Sequence, residues 1–309
     1  MFNIYQYIEK LKVITTVFIL MFLLSRCEKE IDITLQDTVT KLVVEGVIET
    51  DQYAYVTLSK SSPYFASVDK NTFQNMFVKD ALVIVSDGIL SDTLIFDTVP
   101  FYPPFRFQGH KIKGQSNTTY SLRIEYNNQI YTSTTQLLEP IPIDSVKYQY
   151  RNGSDSLGML RLYANDPINQ TNYYKISSLN NDIDFSKEIP VWVHPNHSVT
   201  DDRFFNGKLV EATIYKGKNP MKPASYYEEH SEDWWAFKIG DNITVKLSQL
   251  DYESYIFWRT TEQVITTSDN PFAAPTTVQT NITPNALGTW SAYASSTKQI
   301  IIAEDIIIP

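Results

Sequence analysis

The tetrapeptide His194-Pro195-Asn196-His197, with Asp201 and Asp202 close behind, puts two imidazoles and two carboxylates within nine positions. Such side chains at short spacing are ligands for zinc or another divalent ion. A zinc site takes three or four protein ligands, however, and Pro195 favours a loop over a rigid ligating element. A polar loop is therefore expected, with no metal and no cofactor. His230, in YYEEHSEDWW (226–235), has Glu228, Glu229, Glu232 and Asp233 around it, and a solvated acidic loop is expected there. The sequence holds no G-x-S-x-G elbow, no H-E-x-x-H pair and no glycine-rich phosphate loop. Paired carboxylates for glycoside hydrolysis are a spatial arrangement, so abundant acids neither support nor remove that chemistry. With no catalytic constellation recognised, no enzymatic activity is expected.

Binding chemistry is better represented. Tyr102 and Phe105 flank a Pro-Pro pair, Tyr226-Tyr227 and Trp234-Trp235 bracket the acidic loop, and Phe272 follows Asn270-Pro271 in a proline-rich stretch. Flat rings in loops stack on sugars and anchor protein partners. They equally cap the ends of a β-sandwich core. These residues are the candidate contacts for a partner protein or for a glycan or peptide ligand. The net charge of −9, with no Lys/Arg cluster, argues against nucleic acid.

The one cysteine has a chemistry of its own. Lys10 and Lys12 precede Val13 to Leu24, twelve residues without a charge. That is short of the ~20 a membrane span needs and suits the h-region of a secretory signal peptide. Leu24-Ser25-Arg26-Cys27 then resembles a bacterial lipobox, in which the peptide is cut before the cysteine and the cysteine is acylated. Arg26 departs from the small residue usual there. Residues 1–26 are thus expected to be a signal peptide and Cys27 a lipid anchor, which leaves no thiol for disulfides. Glu28, Glu30 and Asp32, in an acidic tether over 27–40, resemble the export signal of lipoproteins carried to the outer face of the outer membrane.

The elements that must position all this read as strands. KLVVEGVIE (41–49), YAYVTLS (53–59), ALVIVSDG (81–88), DTLIFDT (92–98), FRFQGHK (105–111) and a hairpin over 119–137 alternate at period two. About seven short strands in about 100 residues is the size of an immunoglobulin-like sandwich, expected over 41–138. The mature chain of about 280 residues exceeds one usual domain, and the two prolines in LLEPIPID (137–144) suggest a boundary. A second β-rich domain is expected over 139–309, with one helix near 251–265, where Asp251 is a suitable N-cap. The expected fold class is mainly β, in two tandem β-sandwich-like domains.

CEKEID (27–32), KLVVEGVIE (41–49), VIVSDG (83–88), TYSLRI (119–124), IDSV (143–146), DPINQTNYYKI (166–176), DDRFFNG (201–207), GD (240–241), YIFW (255–258), NPF (270–272) and ALGTWSAY (286–293) occur in that order. Together they resemble the Bacteroidota lipoprotein family known as domain of unknown function 4249 (DUF4249). The resemblance implies no activity. It implies an outer-membrane, cell-surface lipoprotein encoded beside a TonB-dependent receptor. The expected function is an accessory binding protein that helps such a transporter capture its substrate. The alternatives are a structural or adhesive surface module and a glycan- or peptide-processing hydrolase.

Overall fold

Alternation of apolar and polar residues sends one set of side chains to each face of a strand, and it organises most of this chain. The computed structural model describes residues 7, 8, 10–12, 14–16, 40–62, 75–99, 103, 105–168, 170–182, 190–195, 197–231, 233–268, 270, 272–274, 276–303 and 307–308. Residues 1–39 form one unit and residues 40–309 another. In the first, the described positions between 7 and 16 are helical. No helix of the described residues is long and apolar enough to cross a membrane. Cys27, Glu28, Glu30 and Asp32 lie outside the described residues.

The second unit is mainly β. Its first strands are β1 (Leu42–Glu49), β2 (Tyr53–Lys60), β3 (Leu82–Ser86), β4 (Ser91–Thr98), β5 (Phe105–Lys113), β6 (Thr118–Tyr126) and β7 (Gln129–Leu137). Then come β8 (Ser145–Tyr150), β9 (Leu157–Asn165), β10 (Tyr173–Asn180), β11 (Val199–Asp201) and β12 (Leu209–Ile214). A short helix α1 (Ala224–Glu229) precedes β13 (Phe237–Lys238) and β14 (Asn242–Leu250). Helix α2 (Tyr252–Thr267) is followed by β15 (Leu287–Ile301) and β16 (Ile307–Ile308). The helix expected near 251–265 is α2; α1 is a second helix, short enough that its loop-like composition hid it.

Eleven strands make one sheet in the order β11-β10-β14-β15-β1-β2-β5-β4-β3-β6-β7, and a five-stranded sheet runs β12-β9-β8-β16 with β13 beside β9. The large sheet continues across residue 139. Its joint is the long strand β15. Leu287 to Tyr293 pair in parallel with β1, and Ala294 to Ile301 pair antiparallel with β14. The core expected for 41–138 is accordingly not closed by those residues alone. Ile282, Ala286, Trp290, Ala292 and Ala294 sit in it with Val44, Val56, Tyr120, Leu122 and Ile124. Trp290 is fully buried, and its Nε1 donates to the Tyr120 carbonyl at 3.1 Å. Gly46 leaves room for it: a Cβ there would lie 2.6 Å from the indole. A second core, with Tyr148, Leu160, Tyr174, Phe237 and Val245, fills the space between the two sheets.

Asp251 fixes α2 twice. One carboxylate oxygen caps the helix by accepting from the Ser254 N–H at 2.9 Å. The other accepts from the Thr135 hydroxyl at 2.7 Å and the Gln136 N–H at 3.0 Å, on β7. Asp92 does similar work on β5. Its Oδ2 accepts the N–H groups of His110, Lys111 and Ile112, across a stretch where the pairing of β2 with β5 shifts register.

Candidate functional site

The apolar positions of β10, β14, β15, β1 and β2 face the two cores. The alternate positions, including Lys175, Lys246, Ser248, Tyr293, Glu45, Glu49 and Tyr55, therefore share the opposite face. That face is not left to water. Helix α2 covers part of it through Tyr255, Ile256 and Trp258, which pack with Val47, Leu250 and Tyr293. Trp258 Nε1 donates to the Tyr293 hydroxyl at 2.8 Å. The segment from residue 191 to β11 runs along the outer edge of β10: Val193 and Ser178 exchange backbone hydrogen bonds, and the Ile176 N–H donates to the Ser198 carbonyl. Between these covers lies a cavity of about 980 Å³, reached by Trp192 and His194 from the segment and by Arg106 and Gln108 from β5.

Three cations in this cavity lie over aromatic rings. Lys175 Nζ is 3.5 Å from the centroid of Trp258, Lys246 Nζ is 4.0 Å from that of Trp192, and the Arg106 guanidinium is 4.8 Å from that of Tyr55. Such contacts stabilise a cation by about 0.5–2 kcal/mol, more as water is removed. Lys246 is also paired, donating to both Glu49 carboxylate oxygens at 3.0 and 3.2 Å. Lys175 has no such partner at contact distance among the described residues. It donates to the Ser198 hydroxyl at 3.4 Å, and that hydroxyl donates in turn to Glu262 Oε1 on α2. The Ser198 N–H holds the same oxygen at 2.8 Å.

Burial pushes the Lys175 amine from its ordinary 10.5 down to about 7, with Lys246 adding to the fall while Glu262 and Glu45 oppose it. Burial likewise raises the Glu45 carboxyl, against the pull of Lys175. His194 is held well below its ordinary value by burial, then by Lys175 and Lys246, so its ring is neutral at pH 7.

The decisive feature is what remains unpaired. Five buried side-chain polar atoms lack a hydrogen-bond partner among the described residues, and three of them, Arg106 Nε, Gln108 Oε1 and His194 Nδ1, belong to residues lining this one cavity. Leaving such an atom unsatisfied costs about 1–3 kcal/mol, so three of them in residues around one cavity make it the candidate binding site. The set combines a cationic donor with an acceptor amide oxygen and a neutral imidazole.

The residues singled out from sequence are distributed otherwise. Tyr226, Tyr227 and Trp234 come together on a second cleft, of about 660 Å³, with His230. Tyr227 meets Trp234 edge-on at 5.5 Å, and His230 stacks on Tyr226 at 4.3 Å. Trp235 instead packs edge-on against Tyr215 at 5.7 Å, beneath Arg151. Phe105 is half-buried against Phe77 at 4.9 Å, at the start of β5. Tyr102 lies outside the described residues. Phe272 is 94% exposed, so it plugs no core. His194 and His197 diverge: His194 enters the cavity and His197 is exposed at a positive φ of 60°. Asp201 is taken by Arg203 and Tyr255, and Asp202 by the Asn172 N–H. No group of three His, Cys, Asp or Glu among the described residues is placed to hold a metal.

Several residues of the DPINQTNYYKI and DDRFFNG stretches are structural. Asn172, fully buried, donates to Asp166, Asp202 and two carbonyls and accepts from Gln249, while Asp166 also accepts from Tyr174 and the Gly207 N–H. Sequence reading missed Lys175, Lys246, Glu45, Trp192 and Glu262. The available signal was a charge at the centre of an otherwise apolar strand, as in YYKISS (173–178) and ITVKLS (243–248).

A family model described as "Domain of unknown function (DUF4249)" matches residues 28–299, and the chain belongs to that family. No curated protein matches the chain.

Proposed function

We propose that this DUF4249 member is a non-enzymatic ligand-capture protein, held by acyl chains on Cys27 at the outer face of the outer membrane, and that it serves a TonB-dependent receptor. The observation that carries the binding reading is that Arg106 Nε, Gln108 Oε1 and His194 Nδ1, without partners among the described residues, belong to residues lining one cavity of about 980 Å³. That volume is in the range of small-molecule sites, roughly 300–1,000 Å³. The lipobox-like Leu24-Ser25-Arg26-Cys27 and the acids after it support the anchor and its outward face. The receptor follows from what the family resemblance implies, and Phe272, almost fully exposed, is one ring available to meet it. The aromatic cleft of Tyr226, Tyr227 and Trp234 is a second surface for a glycan or peptide.

The test is purification of the lipoprotein from detergent-solubilised outer membrane, with mass analysis of the small molecules and proteins that accompany it. Arg106→Ala and Gln108→Ala are expected to lose the small molecule and keep the receptor. Phe272→Ala is expected to keep its melting temperature and recover less receptor. Retention of the same small molecules by both cavity variants would remove the cavity from the reading.

A further inference from the structure

We propose that Lys175 is an amine nucleophile, and that the cavity captures a small aldehyde or ketone by forming an imine with it. The proposal rests on the cavity being the ligand site. Its geometry is that of a lysine kept from ordinary ion pairing. Lys175 projects from the middle of β10, is 4% exposed, and yet lines the cavity. Lys246, the neighbouring cation, is neutralised by Glu49 at 3.0 Å, whereas among the described residues Lys175 meets a hydroxyl and the face of Trp258 and no carboxylate at contact distance.

The charged and titratable groups around it come from every covering element. They are Glu45 on β1, Lys246 on β14, His194 on the edge segment and Glu262 on α2. Two of these are cations or a neutral ring, and burial raises the Glu45 carboxyl towards its uncharged form. Burial and Lys246 hold the Lys175 amine near 7, so far more of it is free base at neutral pH than in an exposed lysine. A desolvated lysine beside a second cation is a recognised way to activate an amine towards carbonyls.

The neighbours supply the proton traffic that the reaction needs. The free amine attacks the carbonyl carbon, a C–N bond forms, and the carbonyl electron pair moves to oxygen. One N–H proton passes through the Ser198 hydroxyl to Glu262 and returns to the alkoxide, giving the carbinolamine. The second N–H proton takes the same route to the carbinolamine hydroxyl, which leaves as water as the C=N bond forms. Amine and carbonyl thus give imine and water, with no oxidation or reduction. Glu262 acts here through Ser198, as a positioning and relay group.

The experiment uses the full chain in detergent at pH 7, incubated with glycolaldehyde and sodium cyanoborohydride, then digested so that every lysine is assayed by mass. An exposed lysine near pKa 10.4 holds about a thousandfold less free amine at this pH. Lys175 is therefore expected to be alkylated at least tenfold faster than the exposed Lys111 and Lys208. Glu262→Gln is expected to slow modification of Lys175 severalfold and leave Lys111 unchanged. Modification that follows exposure, with Lys175 last, overturns the proposal. An unchanged rate in Glu262→Gln overturns the relay. Unmodified Lys175, in a protein whose Arg106 and Gln108 variants lose their ligand, would sink the imine and leave the cavity reading standing. Modified Lys175, with ligand retention untouched in those variants, would show a reactive amine but overturn its role in ligand capture together with the cavity reading.

Discussion

Replacing Lys175 with Met should flatten the pH dependence of stability between pH 7 and 9. In the fold the amine sits at about 7, against an ordinary 10.5. The folded value is the lower one, so between these limits the unfolded chain binds more protons than the native one. Stability must therefore rise with pH across that window. Below about 7 both states are protonated, and the burial penalty is present in full. Well inside the window the slope is about 1.4 kcal/mol per pH unit. Because the native amine is half titrated at pH 7, the gain from pH 7 to 9 is about 2 kcal/mol. Trp258 beneath the ammonium favours the charged form by about 0.5–2 kcal/mol and moves the native value upward, which trims the gain towards 1 kcal/mol.

The measurement is urea unfolding of wild type and Lys175→Met at pH 7 and pH 9. The midpoint of wild type should rise by roughly 0.5 M at an m of about 2–3 kcal/mol/M, and that of the variant should not. Burial raises Tyr55 and Tyr293, so neither titrates in this window. Parallel responses in the two proteins would mean that Lys175 keeps its charge throughout, and that the argument from burial is wrong.

The other predictions concern the frame and the anchor. A fragment of residues 40–139 should show no cooperative thermal unfolding, because Trp290, Ala292, Ala294 and Ile282 of its core are missing; a sharp melt would show that β1 to β7 close without β15. In the full chain Trp290→Ala should cost about 3–5 kcal/mol by urea unfolding. Asp251→Ala should cost about 1–2 kcal/mol, since it removes both the cap of α2 and the tie to β7. Cys27→Ser should abolish labelling by a radioactive fatty acid and release the protein from membranes; undiminished labelling would exclude this cysteine as the anchor.

Strands were legible wherever alternation was clean. The hairpin at Asn127-Asn128, both at positive φ, and the Asp251 cap could be read from residue types. The partner of each strand could not. β1 was expected to belong to a sandwich of its neighbours in sequence, but half of its pairing is with Leu287 to Tyr293, some 240 positions away. Only the small and aromatic residues of GTWSAYA (288–294) hinted at a strand buried on both faces. The candidate site was hidden for a related reason. Alternating polar residues read as a solvent-facing side, so Lys175, Lys246 and Glu45 passed as surface. What buries them is α2 and the segment beside β10, and neither contact is local in sequence.

That burial separates what the fold requires from what it merely carries. A sheet face covered by a helix needs side chains that pack and leave no charge stranded, and Ser177, Ser248 and Ser291 show that small residues fit there. Three cations set over rings, one without a carboxylate at contact distance, do nothing that those serines could not do for packing. Lys175 lowers stability, as its expected pH response makes explicit, and Arg106 Nε and His194 Nδ1 have no hydrogen-bond partner among the described residues. Natural sequences break local rules chiefly where function demands it. The asymmetry between the two lysines sharpens the point. Lys246 is neutralised by Glu49, as a structural cation would be. Among the described residues Lys175 meets a serine instead, with no carboxylate at contact distance, which is the feature the imine proposal rests on.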